Sequence, residues 1–102
     1  MIHVIASIDV NEGSHDAFLA AFHELVPVVR AEPGCVEYGP TVDVEPGLPR
    51  QVDHRPDTVT IIEQWESIDA LTDHLAAPHM ADYREKVKDL VAGVTLQVLE
   101  TA

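Results

Sequence analysis

Thr58-Val59-Thr60-Ile61-Ile62-Glu63-Gln64-Trp65-Glu66-Ser67-Ile68-Asp69-Ala70-Leu71-Thr72-Asp73-His74-Leu75 changes its side-chain period once, and that change decides the fold. Up to Glu66 the chain alternates, with Val59, Ile61, Glu63 and Trp65 on one face and Thr60, Ile62 and Gln64 on the other, the period of a strand. Ser67 is then an N-cap, and Ile68, Leu71 and Leu75 recur at helical spacing as the inward side of a short helix. One residue breaks the pattern. Glu63 shares a face with Ile61 and Trp65, and a carboxylate buried without a partner is costly and shifts its pKa. Glu63 is therefore expected to be buried and paired with a histidine or backbone amides.

Working outward, Ile2 to Val10 alternates as a first strand with apolar or small residues on both faces. Asn11-Glu12-Gly13-Ser14 supplies a turn, with Ser14 as candidate N-cap. Phe18, Phe22, Leu25 and Val29 form the stripe of a helix in which Pro27 should kink or tighten the last turn. Pro33-Gly34 ends it. Cys35 to Val42 follows as a strand with Val36, Tyr38 and Val42 on one face. After the 58–66 strand and the Ser67 helix, Pro78 opens another helix with the stripe Met80, Tyr83, Val87 and Leu90. Gly93 is expected to close that helix, and Val94 to Glu100 to form the last strand.

This order predicts an α+β, ferredoxin-like split βαβ fold, with a four-stranded antiparallel sheet in a single domain spanning 1–102. Helices cover one sheet face. Apolar residues on both faces of three strands call for a second cover, so a homodimer with facing sheets is expected. The segment 43–57 exceeds the few residues a hairpin needs. It carries Pro46, Pro49 and Pro56 together with Arg50 and Arg55, and reads as a surface excursion or dimer arm, or else as a lid.

Eighteen acidic residues against six basic ones give a formal charge of −12. That field disfavours nucleic acid and anionic lipid, and suits a neutral apolar ligand better than an anionic one. No apolar run reaches the ~20 residues of a membrane span, and Met1-Ile2-His3-Val4-Ile5 lacks a signal-peptide start. With the lone Cys35 unable to form an internal disulfide, a cytoplasmic location is expected. Cys35 itself reads as a small buried hydrophobe.

Phe18 and Phe22, Glu32-Pro33-Gly34-Cys35 with Tyr38, Glu63-x-Trp65-Glu66-Ser67, Ala70-Leu71, His74-Leu75 and Pro78-His79-Met80 together resemble the antibiotic biosynthesis monooxygenase family of small dimeric α/β-barrel proteins, which includes quinol monooxygenases. The likeness covers nearly all of the chain apart from 43–57. Ile61-Ile62 stand where relatives often carry an aromatic residue. The resemblance implies a dimeric α/β barrel and a monooxygenase that oxidises a quinol or polyphenol with O2, needing neither metal nor flavin. Isomerisation or lysis of a small metabolite, haem degradation and non-catalytic binding of a small aromatic molecule are the alternatives.

Such chemistry needs a base, an apolar pocket and aromatic walls. His74, near the end of a short helix and titrating close to neutrality, is the candidate base, with Glu63 as the second catalytic group. Tyr38, Trp65 and His79 are the candidate substrate-binding residues, and Tyr38, Trp65, Glu63 and His74 are expected to converge on one cavity between sheet and helices. Glu63, His74 and His79 could also be read as a two-histidine, one-carboxylate set. Pro78 places the histidines on different helical segments and no His-Glu-x-x-His pattern supports that set, so no metal is expected.

Overall fold

Alternation written into the first strand becomes the floor of the molecule. The computed structural model describes residues 1–45 and 47–102, in the order β1 (Ile2–Val10), α1 (His15–Arg30), β2 (Cys35–Val42), β3 (Thr58–Trp65), α2 (Ile68–Ala76), α3 (Pro78–Val87) and β4 (Val91–Glu100). The strands form one antiparallel sheet in the order β2-β3-β1-β4, which is the expected ferredoxin-like α+β arrangement. Ile2, Val4, Ala6 and Ile8 of β1 and Val59, Ile61, Glu63 and Trp65 of β3 are buried, and they share the core with Phe18, Phe22, Leu25 and Val29 of α1. Register places Val4 and Tyr38 on either side of Glu63, so the acid lies in the middle of the helix-covered face.

Several local expectations are corrected. Ser14 makes no side-chain cap; its carbonyl instead accepts the Phe18 N–H at 2.9 Å. Pro27 sits inside α1, and the turn tightens after it, with the Glu32 N–H reaching the Val29 carbonyl at 2.9 Å. Ser67 does cap α2, its hydroxyl accepting the Ala70 N–H at 3.1 Å. The buried residues of α2 are Leu71 and His74, whereas Ile68 and Leu75 are exposed. A short helix offers one narrow inward stripe, and the histidine occupies it. Val36 falls at a register shift in β2 and is exposed, so it does not share the burial of Tyr38. Gly93 does not end α3. It pairs with Asp9 inside β4, which begins at Val91.

The helix layer leaves β4 bare. Val94, Leu96 and Val98 pair with Ile8, Ala6 and Val4, yet Leu96 remains 47% exposed because the helices pack over β1, β2 and β3. On the opposite face, Ile5 pairs with Ile62 beside the half-buried His3, Ser7, Thr60 and Gln64. The 43–57 segment is tied at its base, where the Arg55 guanidinium donates to both Asp43 carboxylate oxygens at 2.8 Å. Pro46, one of the prolines expected to stiffen it, lies outside the described residues.

Candidate active site

The turn between α1 and β2 brings the first essential group into place. After α1 ends, Glu32-Pro33-Gly34 reverses the chain, with Gly34 at φ +82°, a left-handed conformation that suits glycine. The Gly34 carbonyl accepts the Glu66 N–H at 2.8 Å, which fixes the turn against the end of β3. Glu32 is thereby laid against the end of α2, where its Oε2 meets His74 Nδ1 at 2.8 Å. The same oxygen meets His79 Nε2 at 2.9 Å. Ala77, extended at ψ 141°, separates α2 from α3 and turns the two histidines toward one carboxylate.

His74 is 1% exposed. Its ring lies on Trp65 with centroids 4.6 Å apart and meets the edge of Tyr38 at 5.5 Å. Tyr38 stacks in turn on Phe22, which stacks on Phe18. Burial pushes the His74 imidazolium toward losing its proton, and the Glu32 contact opposes this. With Nδ1 directed at Glu32, the neutral ring donates there and keeps its lone pair on Nε2. Nε2 has no protein hydrogen-bond partner among the described residues.

Glu63 is 6% exposed and paired, but its partner is neither a histidine nor a backbone amide. Trp65, two residues along the same strand face, donates its indole N–H to Glu63 Oε1 at 2.9 Å. The spacing that puts both side chains on one face also lets each satisfy the other. Burial raises the Glu63 pKa, with the indole N–H acting against it and the Glu32 charge adding to it. Burial likewise pushes the Tyr38 phenol far up, so it is a neutral hydroxyl rather than a phenolate at ordinary pH. Trp65→Phe should strand the carboxyl and cost about 1–3 kcal/mol in a denaturant titration, beyond the loss from packing. The same change in a Glu63→Leu background should cost less, and equal costs would dissolve the pair.

A cavity of about 420 Å³ opens between sheet and helices, and its lining includes the polar side chains of Tyr38, Glu63, His74, Tyr83, Arg84 and Lys88. Ala6, Phe22, Ile61 and Met80, with Leu96 of β4, supply apolar wall. Three of the five expected site residues therefore line this one cavity. Trp65 and His79 do not. Trp65 is wholly buried behind His74 and Glu63, and His79 lies on the outer side of Glu32, its side chain 32% exposed. None of the described residues of 43–57 is among the residues lining the cavity. Cys35 is half-buried, and burial raises its thiol pKa.

Sequence reasoning assigned no chemical role to Glu32. Its signal was the Glu-Pro-Gly turn, because a carboxylate just before a left-handed glycine can be held against a neighbouring helix end. Among the described residues, Glu32, His74 and His79 form a two-histidine, one-carboxylate group whose ligand atoms all lie within 4.8 Å of one another. The carboxylate of that group is thus Glu32 and not Glu63.

Comparison with known proteins agrees with this architecture. Residues 1–86 match the family described as antibiotic biosynthesis monooxygenase. The chain is 42% identical over 102 residues to "Probable quinol monooxygenase YgiN" of Escherichia coli K12, covering 98% of this chain and 97% of that protein. The crystal structure of PA3566 from Pseudomonas aeruginosa matches with a TM-score of 0.81 at 26% identity, over 99% of this chain and 93% of that one. Protein SO0527 from Shewanella oneidensis matches with a TM-score of 0.81 at 29% identity, over 98% of this chain and 89% of that one.

Proposed function

This chain belongs to the antibiotic biosynthesis monooxygenase family, and from that membership we propose that it oxidises a quinol or related polyphenol with dioxygen in the cavity beside His74. The observation that carries the reading is the pairing of an apolar cavity with one oriented imidazole, His74 Nδ1 being held by Glu32 at 2.8 Å. A phenolic ring entering among Phe22, Ile61 and Met80 buries apolar surface, and its hydroxyl can meet His74 in the same cavity. His74 Nε2 takes the phenolic proton there. The resulting phenolate gives one electron to dioxygen, which closed-shell phenols do only slowly. Radical and superoxide then combine to form a carbon-bound peroxide, and His74 returns its proton to it. O–O cleavage with loss of the hydrogen on that carbon releases water and leaves one oxygen in the product as a carbonyl. Water excluded from the cavity prolongs the radical pair.

Tyr38 and Glu63 are read as the groups that orient the substrate oxygens. Both are buried, and burial favours their neutral, hydrogen-bond-donating forms. Oxygen uptake with a panel of quinols tests the reading, with 18O2 giving one labelled oxygen in the product. Conversion of a small metabolite without oxygen uptake would replace it with the isomerase or lyase reading.

We further propose that the working unit is a homodimer. Val94, Leu96 and Val98 are exposed on the helix side of β4, and Ile5, Ile62 and Leu99 gather on the opposite face. A partner covering either face would remove apolar surface from water, and Leu96 is also a wall of the cavity. Light scattering at micromolar concentration should return the mass of two chains, and a monomer mass would remove the proposal.

A further inference from the structure

The cavity uses one nitrogen of His74, and the other side of the same ring belongs to a second cluster. We propose that Glu32, His74 and His79 form a binding site for a divalent transition-metal ion of the zinc class, whose occupation takes His74 out of service as a base. The donor set is two imidazole nitrogens and one carboxylate oxygen, a combination suited to zinc, with water as the fourth ligand. Glu32 Oε2 lies 2.8 Å from His74 Nδ1 and 2.9 Å from His79 Nε2. Tetrahedral zinc with bonds of ~2.0–2.1 Å sets its ligands roughly 3.3 Å apart, so the two contacts to Glu32 need open by only about half an ångström. The two imidazole nitrogens, which lie within 4.8 Å of each other, would draw in toward the same spacing.

The helix break is what makes the cluster compact. His74 lies in the last turn of α2 and His79 in the first turn of α3, and the extended Ala77 between them folds both toward Glu32. Access is also present, because the His79 side chain is 32% exposed and that of Glu32 is 12% exposed. A formal charge of −12 draws cations to the surface.

The consequence follows from the imidazole itself. A neutral ring carries one N–H, and at present it faces Glu32. A metal ion on Nδ1 must displace that proton, so a neutral metal-bound His74 carries its hydrogen on Nε2. The nitrogen facing the cavity then donates and no longer accepts. This switching half rests on the reading of His74 as the base, whereas the cation site does not.

Zinc binding to the whole protein, measured by competition with a chromophoric chelator, should give one ion per chain. His79→Ala should weaken it tenfold or more, the scale on which lost coordination support acts. His54→Ala, an exposed histidine in 43–57, should not. Cobalt in place of zinc should show the visible absorption of a tetrahedral site, absent in His79→Ala. Equal affinity in wild type and His79→Ala, or no saturable zinc binding, would overturn the site. In the oxygen-uptake assay zinc should inhibit the wild type, and His79→Ala should need at least tenfold more zinc for the same inhibition. Tight zinc binding without inhibition would overturn the switch and count against His74 as the base, leaving the cation site standing.

Discussion

His74→Ala should lower quinol-dependent oxygen consumption by roughly a hundredfold or more, the usual contribution of a positioned general base. No other described side chain on the cavity wall combines its orientation with a readily available lone pair. Glu63 has one oxygen already engaged by the Trp65 indole, while the Tyr38 phenol is held well above its ordinary value. The fall should appear mainly in kcat, since the lost step is proton removal from bound substrate. His74 is fully buried against Trp65 and Tyr38, so alanine also opens a hole. His74→Gln keeps more of the volume and can still donate to Glu32, but offers no comparable base. Comparable losses in both variants, with native circular dichroism, would assign the effect to the proton. A normal rate in a folded His74→Gln protein would remove His74 from the mechanism.

Much of this was legible in the sequence, for physical reasons that can be named. The period-two pattern of 58–65 and the stripe from Phe18 to Val29 survive into the structure because each buries one continuous face. Glu63 was legible as a buried acid because its neighbours on the strand were apolar. Its partner was harder to foresee. A histidine looked the natural match for a carboxylate, yet an i, i+2 indole on the same strand needs no tertiary contact to find it. Glu32 was hidden more deeply, since its role depends on the left-handed turn at Gly34 and on where α2 lands, both tertiary facts. The two histidines misled for a related reason. Pro78 argued that they sit on separate helices, which is correct, but the break between those helices is what brings them to one oxygen. In α2 the apolar pattern pointed to Ile68, Leu71 and Leu75; of these the short helix buries only Leu71, and His74 takes the other inward place.

Gly34→Ala should be among the most damaging single-methyl changes in the molecule, at roughly 2–5 kcal/mol. Two costs combine. A side chain at φ +82° is strained by ~1–2 kcal/mol. The new Cβ would also lie 2.6 Å from the Ala70 Cβ, and forcing such overpacking costs typically 1–3 kcal/mol. Gly13 separates these costs, because it has nearly the same φ of +83° with nothing within 4 Å of an added Cβ. Gly13→Ala should therefore show only the backbone part. Ala70→Gly, introduced into Gly34→Ala, should recover much of the steric part less the helix penalty of the new glycine. The contact matters for chemistry as well as stability. Ala70 and His74 stand one turn apart on the same side of α2, so pushing Ala70 away from the turn carries His74 away from Glu32. Gly34→Ala protein that still folds should then lose oxygen consumption as well, and Ala70→Gly should restore both together. Denaturant midpoints settle the first claim: if Gly34→Ala costs no more than Gly13→Ala, the close approach of α2 to the Glu32 turn is not what holds this site together.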